Sequence, residues 1–257
     1  MLKLLMELYN CKNCGNQFEV NFCNVCGQKP AHRLDVKHVL HEAVHVFTHA
    51  DKGIFAFIPN ILTRPGIMAL EYVEGKRKKY FNPFQYLLLI VGVVVFLVVK
   101  SHMMENMLDS TPTPGLTSKQ IATQKAFAGI MQKYFNVILL LFIPVFAFFS
   151  YFFFKKKKYN YAENIVLISF VQAQQNTISL ITFSLFFIFP TQTMMMVTMI
   201  LSFLISFFTY GLGFKQFFKV SLFNGILKAI AVTLSVIISW FLIVAIGTFL
   251  FLLIRKL

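Results

Sequence analysis

The chain has 257 residues, 57% of them hydrophobic, and its mean hydropathy is +0.68. A soluble globular domain is about 45–50% apolar, so this composition excludes an ordinary soluble domain and indicates a membrane protein. The net charge is nevertheless +14, from 24 Lys and Arg against 10 Asp and Glu. An apolar and basic chain is expected to place helices in lipid and cationic loops against anionic headgroups. Its expected partners are therefore the bilayer and its anionic lipids rather than nucleic acid.

All four cysteines lie near the N-terminus as two CxxC pairs, each followed by glycine: Cys11, Cys14, Cys23 and Cys26. Two such pairs separated by a short spacer are typical of a zinc ribbon, in which four thiolates complete a tetrahedral site. The alternative is two disulfides, but the topology derived below places these thiols in a reducing compartment. We expect one structural Zn²⁺ per chain in a ribbon at residues 1–30. A closed four-thiolate site leaves no coordination position for catalysis.

Residues 34–50, LDVKHVLHEAVHVFTHA, are rich in histidine. On a helix, the polar side chains of this stretch share an arc of about 120°; they are Asp35, His38, His41, Glu42, His45 and His49. HEAVH at residues 41–45 matches the zinc-protease pattern, in which two histidines bind zinc and the glutamate activates water. His49 does not complete that site, because the three histidines would span about 11 Å along a straight helix. We interpret this face as solvated or interfacial, with a second metal site and a hydrolase as alternatives.

Residues 31–82 are expected to form cytoplasmic or interfacial amphipathic helices that end in a basic hinge. A helix at residues 67–73 is expected to lie at the bilayer surface. The hinge then presents four cations toward lipid phosphates: Lys76, Arg77, Lys78 and Lys79. A second basic run has the same expected role: Lys155, Lys156, Lys157 and Lys158. We interpret these runs as membrane anchors that also fix the topology, with a specific lipid-headgroup site as the alternative.

Residues 83–257 contain five apolar stretches long enough to consider as membrane spans. They lie near residues 84–100, 135–154, 164–189, 194–211 and 226–254. A short interfacial helix is expected between the last two spans, near residues 214–222. With five spans the basic segments fall on one side, which places the N-terminus in the cytoplasm and the chain in the inner membrane. The predicted fold class is an all-α integral membrane protein, in which about five transmembrane helices follow a small Cys₄ zinc ribbon and amphipathic interfacial helices.

The third predicted span carries a polar seam whose members lie within about 120° of one another on a helix; they are Ser169, Gln172, Gln175, Asn176 and Ser179. Amides in hydrocarbon need partners, so the seam is expected to face the interior of the bundle. We interpret it as interhelical hydrogen bonding, with a polar path for a solute or lipid headgroup as the alternative. No charged residue lies in the middle of a predicted span, with Lys228 near one end as the possible exception, which argues against ion-coupled transport.

Several motifs together resemble a known family: the two CxxCG pairs, ADKG, RPG, and EYVEGKRKKYFNPF ahead of a hydrophobic half. The chain resembles an uncharacterised bacterial membrane-protein family, a domain of unknown function with an N-terminal zinc ribbon and a GKRxxYxxP-type juxtamembrane motif. The matching motifs lie in the N-terminal 90 residues. The rest of the chain resembles the family mainly in the arrangement of its hydrophobic segments. The resemblance implies a multi-spanning membrane protein and carries no activity.

The sequence therefore predicts a multi-pass inner-membrane protein without enzymatic activity, whose zinc ribbon and basic surface bind a cytoplasmic protein partner or anionic lipid. The first alternative is transport or lipid handling through the polar seam of the third span. The second is a metal-dependent membrane hydrolase that uses His41, Glu42 and His45. No catalytic residue is assigned.

Overall fold

The computed structural model describes residues 8–37, 39, 54–100, 115, 117–188 and 191–256. In these residues two short strands, β1 and β2, precede eight helices, α1 to α8. Their bounds in chain order are β1 Tyr9–Asn10, β2 Gln17–Phe18, α1 Ile54–Thr63, α2 Pro65–Val73, α3 Pro83–Lys100, α4 Ser118–Leu141, α5 Ile143–Phe153, α6 Tyr161–Ile188, α7 Gln192–Phe218 and α8 Leu222–Lys256. A 3₁₀ turn, Lys155–Lys157, lies between α5 and α6.

Helix α6 is the centre of the bundle. Helices α1, α2, α3, α5 and α7 all pack against it. Its first half is apolar around most of its circumference, and Val166, Leu167, Ile168, Phe170 and Val171 are fully buried. A helix that neighbours surround on all sides needs no polar face, so this stretch reads as a nearly continuous apolar run.

One end of the bundle collects the connections that matter for the site. Helices α6 and α8 begin there, and α5 and α7 end there. The basic hinge, residues 74–82, lies at this same end and leads into α3, whose Tyr86 reaches Thr177 farther along α6. We call it the hinge end, and the cysteine ribbon lies against it.

Helix α2 is buried, whereas the sequence predicted a helix at residues 67–73 on the bilayer surface. It packs between α6 and α7, and Met68, Ala69 and Tyr72 are at most 2% exposed. The position of this helix relative to a bilayer stays a prediction, but its contact with α7 depends on glycine, which allows close approach. A Cβ atom on Gly66 would lie 2.3 Å from the carbonyl oxygen of Gly213 in α7. Two backbones can approach this closely only where neither carries a side chain.

Helix α7 continues to Phe218, so the interfacial helix predicted near residues 214–222 does not exist as a separate element. Phe214, Phe217 and Phe218 are buried in the core, while Lys215 and Lys219 are exposed. The phenylalanines recur at helical spacing, which favoured a short amphipathic helix, but they face the core of the bundle as the last turns of α7. Lys219 adopts a left-handed conformation (φ 54°), and the helix ends there.

Three helical segments are long and apolar enough to cross a membrane: Tyr161–Thr182, Met196–Phe218 and Leu222–Ile243. They overlap the third, fourth and fifth predicted spans. The first two predicted spans fall on shorter apolar helices, Pro83–Leu97 and Ile143–Phe153. The second predicted span is also interrupted, because α4 ends at Leu141 and α5 begins at Ile143, with Pro144 in its first turn. A proline is tolerated there because the first turn lacks intrahelical N–H partners.

Candidate metal centre and cationic platform

The four cysteines meet in one cluster, with their sulfur atoms within 4.8 Å of one another. Cys11 Sγ lies 3.5 Å from Cys26 Sγ, and Cys14 Sγ lies 3.6 Å from Cys23 Sγ. These distances exclude disulfides in this structure, since an S–S bond is about 2.05 Å long. Tetrahedral zinc–thiolate bonds of about 2.3 Å would place the sulfurs about 3.8 Å apart, close to what is seen. The cluster could therefore hold a metal ion, as the sequence predicted.

The two CxxC pairs have the same backbone geometry. The amide of Gly15 donates to the carbonyl of Cys11 (2.8 Å), and the amide of Gly27 donates to that of Cys23 (2.7 Å). Both glycines adopt positive φ angles, 78° and 68°. Glycine has no Cβ atom and reaches this conformation without strain, whereas other residues are strained there. Each turn thus aims its two sulfurs at a common point. Strands β1 and β2 pair antiparallel around the first turn, with Tyr9 opposite Phe18.

The described residues of the ribbon, 8–30, have a very small hydrophobic core. Within them the buried apolar residues are Cys11, Phe18 and Cys23, with Tyr9 and Cys26 packed against them. So few buried side chains cannot hold a fold of this size without a cross-link. The donor set and the small core both fit a structural metal ion.

Gln28 joins the ribbon to the basic hinge. Its side chain is 5% exposed, and its Nε2 donates to the carbonyl of Gly75 (2.7 Å). Its Oε1 accepts from the amides of Arg77 (3.1 Å) and Lys78 (3.0 Å). Gly75 has φ 112°, and a Cβ atom there would lie 2.7 Å from Cδ of Lys12. The two surfaces fit together only because position 75 has no side chain.

The segment after the ribbon is attached to the start of α6. Arg33 forms a bidentate ion pair with Glu163, with N–O distances of 2.8 and 3.1 Å, and also donates to the carbonyl of Lys158 (3.0 Å). Asn160 donates from Nδ2 to the carbonyl of Leu34 (2.8 Å). Hydrogen bonding to Glu163 raises the pKa of Arg33 further above its already high value. Bidentate geometry of this kind fixes orientation as well as distance.

Glu163 also caps its own helix. Its amide donates to Oδ1 of Asn160 (2.8 Å), and its Oε2 accepts from the amide of Asn160 (2.7 Å). This reciprocal pair satisfies two backbone donors that a helix start leaves free. The same carboxylate therefore caps the N-terminus of α6 and binds Arg33.

Glu71 neutralises part of the basic hinge. It accepts from Lys79 (2.6 Å), from Lys76 (3.4 Å) and from the hydroxyl of Tyr80. Burial raises the pKa of Glu71, but hydrogen bonds from Lys79 and Tyr80 outweigh that effect and bring it to about 2. Glu71 is therefore ionised at neutral pH. Two of the four predicted phosphate-binding cations are paired with it.

The remaining hinge cations differ from each other. The guanidinium of Arg77 donates to the carbonyl of His32 (2.7 Å), which fixes it against the segment after the ribbon. Lys78 is exposed, and its backbone amide, but not its side chain, binds Gln28. The second basic run, Lys155 to Lys158, is exposed throughout, and the backbone of Lys158 turns in the left-handed region (φ 61°). The ribbon, the hinge and this turn form one surface at the hinge end, which we call the cationic platform.

The polar seam of α6 divides between contacts to neighbours and contacts within the helix. Gln172 accepts from the hydroxyl of Tyr210 (3.0 Å), and Gln175 donates to Thr209 (3.2 Å). Ser169 and Asn176 donate to carbonyls of α6 itself, and Ser179 is half-buried near the end of the seam. The side chains of Gln172 and Gln175 thus fasten α7 to α6.

Three amides that hold the structure together lie outside the predicted sites, and two of them hold the buried hairpin of α1 and α2. Gln174 donates to the carbonyl of Leu62 (2.7 Å), and Gln216 donates to that of Thr63 (3.0 Å). Gln216 also accepts from the amide of Gly66 (2.9 Å). These backbone groups are free because one helix ends and the next begins. The third missed amide is Gln28, for which the glutamine after CxxCG was the one available signal.

The histidine-rich stretch lies almost entirely outside the described residues. His38 and residues 40–53 belong to the undescribed part, including His41, Glu42, His45 and His49. The possible second metal site and the hydrolase alternative therefore stay predictions. Within the described residues, the four cysteines are the one cluster of three or more potential metal ligands close enough to bind an ion.

Comparison with known proteins gives one match. A family model described as "Protein of unknown function (DUF3667)" matches residues 51–95. No curated protein and no solved structure matches the chain. The matched stretch covers the described helices α1 and α2, the basic hinge and most of α3. Over that stretch the chain is similar to a family without an assigned function, and the match does not extend to the ribbon or to helices α4 to α8.

Proposed function

We propose that the chain is a five-span inner-membrane protein without enzymatic activity, whose zinc-bound ribbon and basic hinge form a fixed cytoplasmic platform for anionic lipid. The observation that carries the proposal is the Gln28 contact, which fixes the ribbon on the hinge through three hydrogen bonds. A ribbon fixed in this way adds its own cations to those of the hinge. Lys29 and Lys78 are both exposed on this surface.

The topology in this proposal rests on charge. Lys78, the turn at Lys155–Lys157, Lys215 and Lys219 all lie at the hinge end and are exposed. Lysine and arginine near membrane helices mark the cytoplasmic side. The inner leaflet is also where anionic lipids attract juxtamembrane cations, each worth about 1 kcal/mol.

A cytoplasmic protein is a second candidate ligand of the platform. Val20, Phe22 and Val25 lie within six residues of the ribbon and are each at least half exposed. Lys29 lies over the ring of Phe22, 5.3 Å from its centroid. Exposed apolar side chains beside cations are typical of surfaces that bind proteins.

The alternatives have less support in the described residues. A solute path through α6 would need amides directed into open space, but Gln172, Gln174 and Gln175 each bond a neighbouring helix or hairpin. A hydrolase would need the HEAVH residues to meet a third ligand. The four thiolates instead form a closed set, which suits a structural ion.

The test compares anionic with zwitterionic lipid of identical acyl chains, added to the purified full-length protein in detergent. We expect the anionic lipid to raise the melting temperature more, and salt to suppress the difference because it screens exposed charges. The variant K29Q/K78Q should weaken the apparent affinity by about 10- to 30-fold, from two lost cations. The control K100Q/K119Q removes two exposed lysines at the other end of the bundle and should change nothing. Equal responses to both lipids, or equal losses in both variants, would rule out the proposal.

A further inference from the structure

Lys228 is the one charged side chain among the described residues of α8 that lies in its apolar segment, Leu222–Ile243. It follows the start of the helix by six residues, about 9 Å along the axis. Its ammonium donates to the carbonyl of Phe153, the last residue of α5. It also lies 4.4 Å from the centroid of the Phe154 ring. The side chain therefore reaches back from α8 to the end of α5, toward the polar border of the bundle, as lysines near helix ends do.

Two further cations lie next in the chain to the groups that Lys228 contacts. Lys156 and Lys157 follow Phe153 by three and four residues, in the 3₁₀ turn after α5. Both are exposed, and within the described residues no carboxylate forms an ion pair with any of the three lysines. An ammonium has three N–H donors, and the structure gives Lys228 one hydrogen-bond acceptor. Three lysines without a counter-charge form a site for an anion.

The surroundings of the three lysines are apolar and open to lipid. Phe152 is 62% exposed, Phe223 is 71% exposed, and Leu227 is about half exposed. These side chains lie at the same end of α5 and α8 as Lys228. Positive charge thus sits at the border between a polar surface and the hydrocarbon-facing sides of two helices. That is the depth at which a phospholipid carries its phosphate.

A separate groove lies between the same two helices and the start of α6. It has a volume of about 360 Å³ and is lined by Pro144, Val145, Phe148, Phe149, Tyr161 and Ser239. Ser239 is eleven residues after Lys228, which on a helix is a rotation of about 20° beyond three full turns. Both residues therefore lie on one face of α8. The lysines mark one end of this face and the groove lies farther along it.

We propose that the ends of α5 and α8 bind one anionic phospholipid, with its phosphate on Lys156, Lys157 and Lys228 and an acyl chain in the groove. The inference rests on the proposed membrane insertion but uses none of the ribbon or hinge cations. It adds a defined lipid site to the broader cationic platform. Charge complementarity selects the headgroup, and the apolar groove excludes a soluble anion as the intended ligand.

The experiment measures lipid that stays bound to the full-length protein after detergent washing, by native mass spectrometry. Protein is purified in the presence of equal amounts of phosphatidylglycerol and phosphatidylcholine with the same chains. We expect retained phosphatidylglycerol in the unmodified protein and about 10- to 30-fold less in K156Q/K157Q, which leaves the Lys228–Phe153 bond intact. K228M should also retain less phosphatidylglycerol than the unmodified protein. S239F fills the groove without changing charge and should lower retention of both lipids.

K100Q/K119Q is the charge-matched control, and K29Q/K78Q separates this site from the cations of the ribbon and the hinge; both variants should retain the lipid. Unchanged retention in K156Q/K157Q and K228M would overturn the proposed site but would not contradict lipid binding by the ribbon and hinge cations. Equal retention of the two lipids would overturn it too, as would competition by millimolar inorganic phosphate, which would show a site for the free anion. Loss in K29Q/K78Q but not in K156Q/K157Q would move the lipid to the hinge.

Discussion

The ribbon buries three apolar residues, Cys11, Phe18 and Cys23, whereas the helical bundle buries a continuous core that extends from Leu34 to Val232. The bundle core contains many aromatic pairs, among them the stacked rings of Phe154 and Phe218, whose centroids lie 3.8 Å apart. The ribbon lacks such packing and instead brings four cysteine side chains together in a cluster that could bind a metal ion. The ribbon is thus expected to depend on a bound metal ion, whereas the bundle depends on core packing. Removal of the ion should unfold the ribbon but not the bundle, and a substitution in the core should destabilise the bundle but not the ribbon.

The largest expected effect is loss of the metal ion. In C11S/C14S the remaining two thiolates cannot complete a tetrahedral site, so the ribbon should unfold and lose roughly 10 kcal/mol of metal-dependent stability. The α-helical circular dichroism of the bundle should remain. Elemental analysis of the purified protein should give one zinc per chain before the substitution and none after it.

E19Q is the matched control, since Glu19 is exposed in the same ribbon. Retention of zinc by C11S/C14S would contradict the assignment of the cysteines. A second ion that survives the cysteine substitutions would place a metal on the histidine-rich stretch and favour the hydrolase alternative.

The next effect should appear where the two regions meet. In Q28A the hinge loses three hydrogen bonds, two of which pair the amides of Arg77 and Lys78. Each lost bond costs about 1 kcal/mol, so the contact should weaken by about 2–3 kcal/mol. Hydrogen exchange at those two amides should accelerate by roughly 30- to 100-fold while the zinc content stays the same. Q17A, at an exposed ribbon glutamine, is the control. Exchange that is as slow in Q28A as in Q17A would show that Gln28 does not hold the hinge.

The smallest effect concerns packing inside the bundle. In G66A the new methyl group would meet the carbonyl oxygen of Gly213 at 2.3 Å and Cβ of Gln216 at 2.7 Å. Overpacking of this kind costs about 1–3 kcal/mol, which thermal unfolding in detergent should report as a lower melting temperature. G92A is the control, because nothing lies within 4 Å of a Cβ atom at that position of α3. Alanine is also the better helix former there. A melting temperature that falls equally in both variants would argue against the close contact between α2 and α7.

Sequence alone predicted the cysteine cluster because its geometry is local. Two CxxC turns need only their own spacing and their glycines to aim four sulfurs at one point, and the structure confirms that the four thiols meet. The long apolar helices α6, α7 and α8 could be predicted for the same reason, because length and composition alone identify a helix that could cross a membrane.

The buried hairpin could not be predicted in this way. Gln174 lies about 160° around α6 from Gln172, so it falls outside the seam and faces α1 instead of α7. Its role becomes visible only once helices are known to lie on both sides of α6. Likewise Gly66 and Gly213 read as two unrelated glycines until the fold places them in contact. Such pairings join distant parts of the chain, and no local pattern encodes them.

The ion pair between Arg33 and Glu163 joins residues 130 positions apart. During synthesis the ribbon is complete long before α6 emerges, and at about 5–20 residues per second that interval is roughly ten seconds. The ribbon can acquire its ion at once, but neither Glu163 nor Asn160 yet exists to receive the segment behind it. Until α6 has formed, the ribbon is a tethered module that has no docking site, so formation of the Arg33–Glu163 pair requires that the start of α6 is in place.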